Sequence, residues 1–168
     1  MDMNSSMPRR HFLGSFALAA SLAVAIPSGA LAYDESSASA INVDGKGLAL
    51  KGYDPVSYFS ASGPQLGKEQ YTAQHDGATY RFTSAASRDA FSANPGKYVP
   101  AFGGFCAMGV ALEKKLDVDP QAWRVVDGKL YLNVNKDVQK RWLDNVPGNI
   151  SQANSNWPKL KDRVPKTL

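Results

Sequence analysis

Cysteine is the scarcest chemistry in this chain: one residue, Cys106, in 168. An internal disulfide is therefore excluded. Histidine is nearly as scarce, with two, His11 and His75, and the four methionines are Met1, Met3, Met7 and Met108. A closed zinc site wants four Cys, His or carboxylate ligands, mostly Cys and His. A blue-copper site wants two histidines beside its cysteine. Covalent haem attachment and iron–sulfur clusters need further cysteines. With His11 set aside as part of the leader expected over 1–32, none of these can be assembled within the chain. There is no block of like charge. The net charge of +4 is spread along the sequence, which gives no footprint for nucleic acid. A phosphate loop and a Ser–His–Asp setting are missing too, as is any repeated segment.

What is present begins with an export signal over 1–32. Arg9 and Arg10 precede an uncharged run from Phe12 to Ile26, and Ala30, Leu31 and Ala32 close it as a small-residue cleavage site. The order basic, apolar, small is that of a cleavable leader. The run falls short of the about 20 apolar residues of a membrane span. Paired arginines followed by Phe12 and Leu13 fit twin-arginine export, with departures at Pro8 and Gly14; general secretory export is the alternative. The expected location is the periplasm or another exported compartment, with no stable membrane anchor once the signal is gone.

The remainder reads as one α+β domain: two short β-hairpins packed with three to four helices. Residues 33–50 are rich in Ser and Ala and predict a flexible start, with a small hairpin about Asp44 and Gly45. The domain proper is expected over 51–160, and 161–168 as a charged, frayed tail. Alternation predicts strands at 70–75 and 78–82 about the turn Asp76–Gly77. Ser84 is suited to cap a helix that Asn94 and Pro95 stop. A second helix is expected over 106–115. A second hairpin is expected over 123–126 and 129–133 about Asp127–Gly128, then a helix capped by Asn135 and a final amphipathic stretch to Leu160.

The order Asp54-Pro55-Val56, Gly77, Tyr80, Phe82, Phe91, Asn94-Pro95 and Tyr98 resembles the YHS domain, a small α+β module of metal-handling proteins and of some oxygenase and copper-pump subunits. Metal-binding members carry cysteines where this chain has Ser57, Thr83 and Ser87, so the resemblance implies that their usual metal site is absent. The later segment, with Gly103-Gly104-Phe105-Cys106-Ala107, Asp119-Pro120, Ala122-Trp123 and the stretch from Val126 to Asn133, resembles an exported single-cysteine branch of that family. Some members of this branch are catalogued as selenoproteins. The resemblance implies that selenium would sit at the position of Cys106.

Three readings of function follow. Cys106 and Met108, with His75 as a third ligand, offer soft donors for a transition metal such as copper. The pair points one way in extended backbone but about 200° apart in a helix. Alternatively Cys106, at the first turn of a helix, is a redox nucleophile whose partner is a small thiol, with Arg81, Lys114 and Lys115 as candidate cations. The third reading is non-catalytic: Tyr53, Tyr58, Phe59, Tyr80, Phe102 and Phe105 build a core or a ligand pocket.

Overall fold

The computed structural model describes residues 33–168; the expected export signal lies outside them. The elements run β1 (Lys68–His75), β2 (Ala78–Phe82), α1 (Ala85–Ala93), α2 (Pro95–Tyr98), α3 (Ala107–Ala111), β3 (Asp119–Val126), β4 (Lys129–Asn133), α4 (Lys136–Leu143) and α5 (Val146–Leu160). The α+β class with two antiparallel hairpins is as expected. Among the described residues there are five α-helices rather than three to four, because α2 and α3 are short helices of four and five residues that the chain forms between its longer elements.

Each hairpin closes on an Asp-Gly pair. Asp76 and Gly77 have φ of +49° and +77°, and Asp127 and Gly128 have +49° and +73°. Two left-handed residues make the tight turn that matches strand twist, and Asp and Gly tolerate that conformation best. Ser84 Oγ accepts from Ser87 N–H at 3.1 Å to cap α1. Asn135 Oδ1 accepts from Val138 N–H at 2.9 Å to cap α4.

These parallels are systematic. β1, β2 and the start of α1 recur as β3, β4 and α4 at a constant spacing of 51 positions, Lys68 matching Asp119 and Ala85 matching Lys136. Even the register irregularities coincide, between Lys68 and Thr72 in one hairpin and Asp119 and Trp123 in the other. The core pair coincides as well: Tyr80 stacks on Phe91 at 5.0 Å and 37°, Tyr131 on Trp142 at 5.4 Å and 33°. The molecule is therefore a tandem of two ββα units. The sequence hides this repeat because little beyond Gln70/Gln121, the Asp-Gly turns and the two tyrosines is identical between matched strands.

A left-handed turn introduces each unit. Leu50, Lys51 and Gly52 have φ of +55°, +52° and +79°; Phe102, Gly103 and Gly104 have +54°, +61° and +83°. An aromatic residue comes next in both, and then Asp54 or Cys106. Two non-glycine residues in the first turn and one in the second carry a left-handed penalty of roughly 1–2 kcal/mol each.

Helix α3 ends at Ala111, short of the expected 115. Lys114 N–H donates to Gly109 O at 2.8 Å and Glu113 N–H to Val110 O at 3.1 Å, with Glu113 left-handed at φ +61°. This double bond pattern is a helix stop of the Schellman type. Helix α5 packs on α3 through buried Ala153, and Asn156 Nδ2 donates to Val110 O and Ala111 O at 3.1 and 3.0 Å. Those are the carbonyls a helix C-terminus leaves bare.

The expected loose ends are packed against the body. Asn42, Asp44, Ala49 and Leu50 are buried, and Val43 bridges Ala49 in place of a full hairpin. In the tail, Pro165 is buried and Lys166 N–H donates to Glu35 O at 3.1 Å. The cause is Lys115. Only 1 % exposed, it sends Nζ to Ser39 O, Lys161 O and Arg163 O at 2.8, 2.9 and 2.8 Å. Its ammonium also lies 4.6 Å from the Phe105 ring centre. A buried charge needs such partners, and here they come from both ends of the described chain.

Candidate functional site

Cys106 stands where the second left-handed turn enters α3, and its side chain is 0 % exposed. Leu50, Tyr58, Val118, Leu130 and Leu132 pack around it. Gly109 N–H donates to Sγ at 3.3 Å, and the Sγ–H faces Asn133 Oδ1 at 3.7 Å. Burial pushes the thiol above its ordinary value; the backbone N–H groups of Gly109, Val134 and Met108 pull it partly back. Desolvation is the larger effect, because an unpaired thiolate in an aliphatic shell loses its hydration.

The expected ligand set is not drawn together at this sulfur. His75 ends β1 and sits edge-on to Phe91 at 5.9 Å, in the first unit, with Nε2 3.3 Å from Asp76 Oδ2. Met108 lies within α3, whereas Cys106 is its N-cap with non-helical backbone at φ −57° and ψ 118°, so the pair is neither wholly extended nor wholly helical, and Met108 packs at the edge of the cluster that holds Cys106. Among the described residues no group of three or more His, Cys, Asp or Glu is placed to hold a metal ion. Two of the three candidate cations are engaged elsewhere: Arg81 pairs with Glu69 at 3.0 Å, and Lys115 holds the three carbonyls described above; Lys114 is exposed. Of the aromatic residues, Tyr58, Tyr80, Phe102 and Phe105 are core, while Tyr53 and Phe59 are half-buried.

The tandem arrangement gives Cys106 a counterpart. Asp54, also 0 % exposed, occupies the matching place in the first unit. Its Oδ1 accepts from Val56 N–H at 2.9 Å. Its Oδ2 accepts from Thr83 N–H at 2.9 Å, Thr83 Oγ1–H at 2.8 Å and Ser87 Oγ–H at 2.6 Å. Ser57 Oγ–H donates to Asp54 O at 2.7 Å. Ser57, Thr83 and Ser87, the three positions that the YHS resemblance marks, thus meet around one residue, Thr83 and Ser87 on its carboxylate and Ser57 on its main-chain carbonyl. Every donor there is used inwardly, which makes the cluster a staple joining the entry turn, β2 and α1. In the second unit the residues matching Val56 and Thr83 are Met108 and Val134, two of the three whose N–H groups act on the Cys106 sulfur.

Two members of this site are not signalled by sequence patterns. Asn133, 0 % exposed, accepts from Met108 N–H at 3.3 Å through Oδ1, and its Nδ2 has no hydrogen-bond partner among the described residues. It ends a strand that otherwise alternates apolar side chains, and only the register shows it beside the thiol. Asp54 reads as a turn former before Pro55, and its role as a buried acceptor needs α1 folded back.

Comparison of the chain with family models, with curated proteins and with solved structures gives no match.

Proposed function

We propose that the protein is a non-catalytic α+β module in which Cys106 is a structural acceptor rather than a metal ligand or nucleophile. The observation that carries this reading is the equivalence with Asp54. Both residues follow a left-handed turn and an aromatic, both are fully buried, and both accept a backbone N–H on the side chain from the turn that follows, Val56 on Asp54 and Gly109 on Cys106. In the first unit hydroxyls stabilise a carboxylate. In the second, half-buried Val134 and Val138 pack where Thr83 and Ser87 stand, and a thiol suits that drier setting because free cysteine behaves as a small hydrophobe. The YHS resemblance and the leader over 1–32 make it an exported module of that type. Among the described residues no helix is long and apolar enough to cross a membrane.

The test is Cu(I) titration against a competing chelator with the wild-type chain and Cys106→Ser. Equal binding, or none in either, is expected. A stoichiometric site that Cys106→Ser abolishes would restore the soft-metal reading.

Thiol chemistry stays as a second reading because of one feature that Asp54 lacks. Asn133 turns Oδ1 to the sulfur and keeps a buried Nδ2 with no partner among the described residues, an unmet donor that a bound ligand or added negative charge nearby would satisfy. Alkylation rate against pH separates the readings: a structural thiol titrates above the ordinary ~8.5, a redox thiol below it.

A further inference from the structure

We propose that residues 33–42 form a strap that opens as a unit and uncovers the left-handed turn before Cys106, while both ββα units stay folded.

The first argument is what the strap covers. Asn42 N–H donates to Gly103 O at 2.8 Å, and Asn42 Nδ2 donates to Gly104 O at 3.2 Å and Asp117 Oδ1 at 3.2 Å. Ala40 runs so close to Gly103 that a Cβ built there would stand 1.8 Å from Ala40 O. Tyr33 meets Phe105 edge-on at 6.5 Å. The strap therefore lies along every residue from Gly103 to Phe105, the segment that leads into the buried sulfur.

The second argument is how it is held. Its ties to the body are polar contacts: those of Asn42, the Lys115 Nζ bond to Ser39 O, Tyr33 Oη–H to Lys115 O at 3.5 Å, Lys166 N–H to Glu35 O and Lys166 Nζ to Ser36 Oγ at 3.3 Å, with Asp34 N–H to Val43 O at 3.0 Å at its base. Its apolar anchors, Tyr33 and Ile41, are only half-buried. Segments with few buried apolar contacts open at low free energy while the core stays closed. The third argument is the hinge. Gly45 and Gly47 flank Lys46 just after the strap, a Cβ at either would meet nothing within 4 Å, and Gly47 is left-handed at φ +77°. The first unit's turn is tied differently, through Gly67 N–H to Gly52 O at 2.8 Å, from a segment inside its own unit. The strap is thus an addition on the Cys106 side alone.

Cys106 is the only thiol of the chain, so maleimide labelling has a single target; because Leu50, Tyr58, Leu130 and Leu132 also cover it, deuterium labelling of the Asn42 amide, the strap's own bonded N–H, is read beside it and decides. Labelling is measured over a urea series below the unfolding transition, beside unfolding followed by circular dichroism. For a strap, the urea dependence of labelling is a small fraction of that of global unfolding, since little surface is exposed. Asn42→Ala and Lys115→Met each raise the labelling rate at least tenfold beyond what their change in global stability accounts for. The proposal is overturned if wild-type labelling follows the full urea dependence of unfolding, or if both variants label only as fast as their lowered stability predicts.

Discussion

Asp54 and Cys106 occupy the same place in two copies of one ββα unit, each fully buried and each accepting a nearby backbone N–H on its side chain, that of Val56 on the carboxylate and that of Gly109 on the sulfur. This relationship explains why the only cysteine of the chain is sealed. It substitutes for a carboxylate as the anchor between an entry turn and the strand behind it.

Removing the carboxylate is expected to be costly. Asp54→Ala leaves the N–H groups of Thr83 and Val56 and the hydroxyls of Thr83 and Ser87 to find new partners, and each buried donor left bare costs about 1–3 kcal/mol. A loss of about 3–5 kcal/mol in urea-monitored stability is expected. Asp119→Ala, which removes one Asx-type bond to Gln121 N–H at 2.8 Å, should cost at most about 1 kcal/mol. Equal costs for the two would contradict the staple.

Cys106→Ala should lower stability by about 1–2 kcal/mol, the sum of a small void and a bare Gly109 N–H. Chemical denaturation measures it. A stabilised variant would mean that the sulfur is strained in place, as a functional thiol often is, and would count against its role as an anchor.

The alkaline limb of stability should resolve two opposed groups. The Cys106 thiol is raised in the fold, so its contribution is full below the unfolded value of about 8.5 and is lost as pH rises past it. Lys115 runs the other way. Burial lowers it from 10.5 to about 8, so its contribution is full above 10.5 and is lost as pH falls through about 8. The three carbonyls and the Phe105 face offset part of the cost of keeping it charged. Between pH 8 and 10, relative to wild type, Cys106→Ala should therefore gain stability more steeply with pH, and Lys115→Met should lose stability. Tyr58 and Tyr80, both raised by burial, add a loss above about pH 10. Parallel pH profiles for all three proteins would show that neither group is shifted.

Gly103 and Gly104 both have positive φ, but only Gly103 lacks space. Gly104→Ala should cost about 1 kcal/mol, the left-handed penalty alone, because its nearest neighbour to a Cβ is 3.7 Å away. Gly103→Ala adds a backbone collision with Ala40 and should cost at least twice as much, read from thermal melts. It should also speed labelling of Cys106, because the strap must move aside. Equal effects would show that Ala40 gives way without cost.

Much of the fold was legible along the chain. The two hairpins follow from Asp-Gly turns between alternating strands, and Ser84 and Asn135 cap helices where their side chains predict, because these are interactions between near neighbours. The extent of α3 was not legible, since Glu113 in a left-handed stop gives no compositional signal. The tandem repeat was hidden for a similar reason. Burial and register can be kept while Phe82 is matched by Asn133 and Ser87 by Val138.

The sequence by itself determined local geometry and chemical inventory: which turns are tight, where helices begin, and that the cysteines and histidines of a zinc-finger or iron–sulfur centre are not there. Only the tertiary structure decided where the few such side chains present lie. It set His75 and Cys106 in different units, closed the sulfur behind Leu130 and Leu132, and fastened both chain ends to the Lys115 ammonium. The reason is physical: capping and turn formation depend on atoms a few residues apart, whereas burial and access depend on which distant segments share the same space.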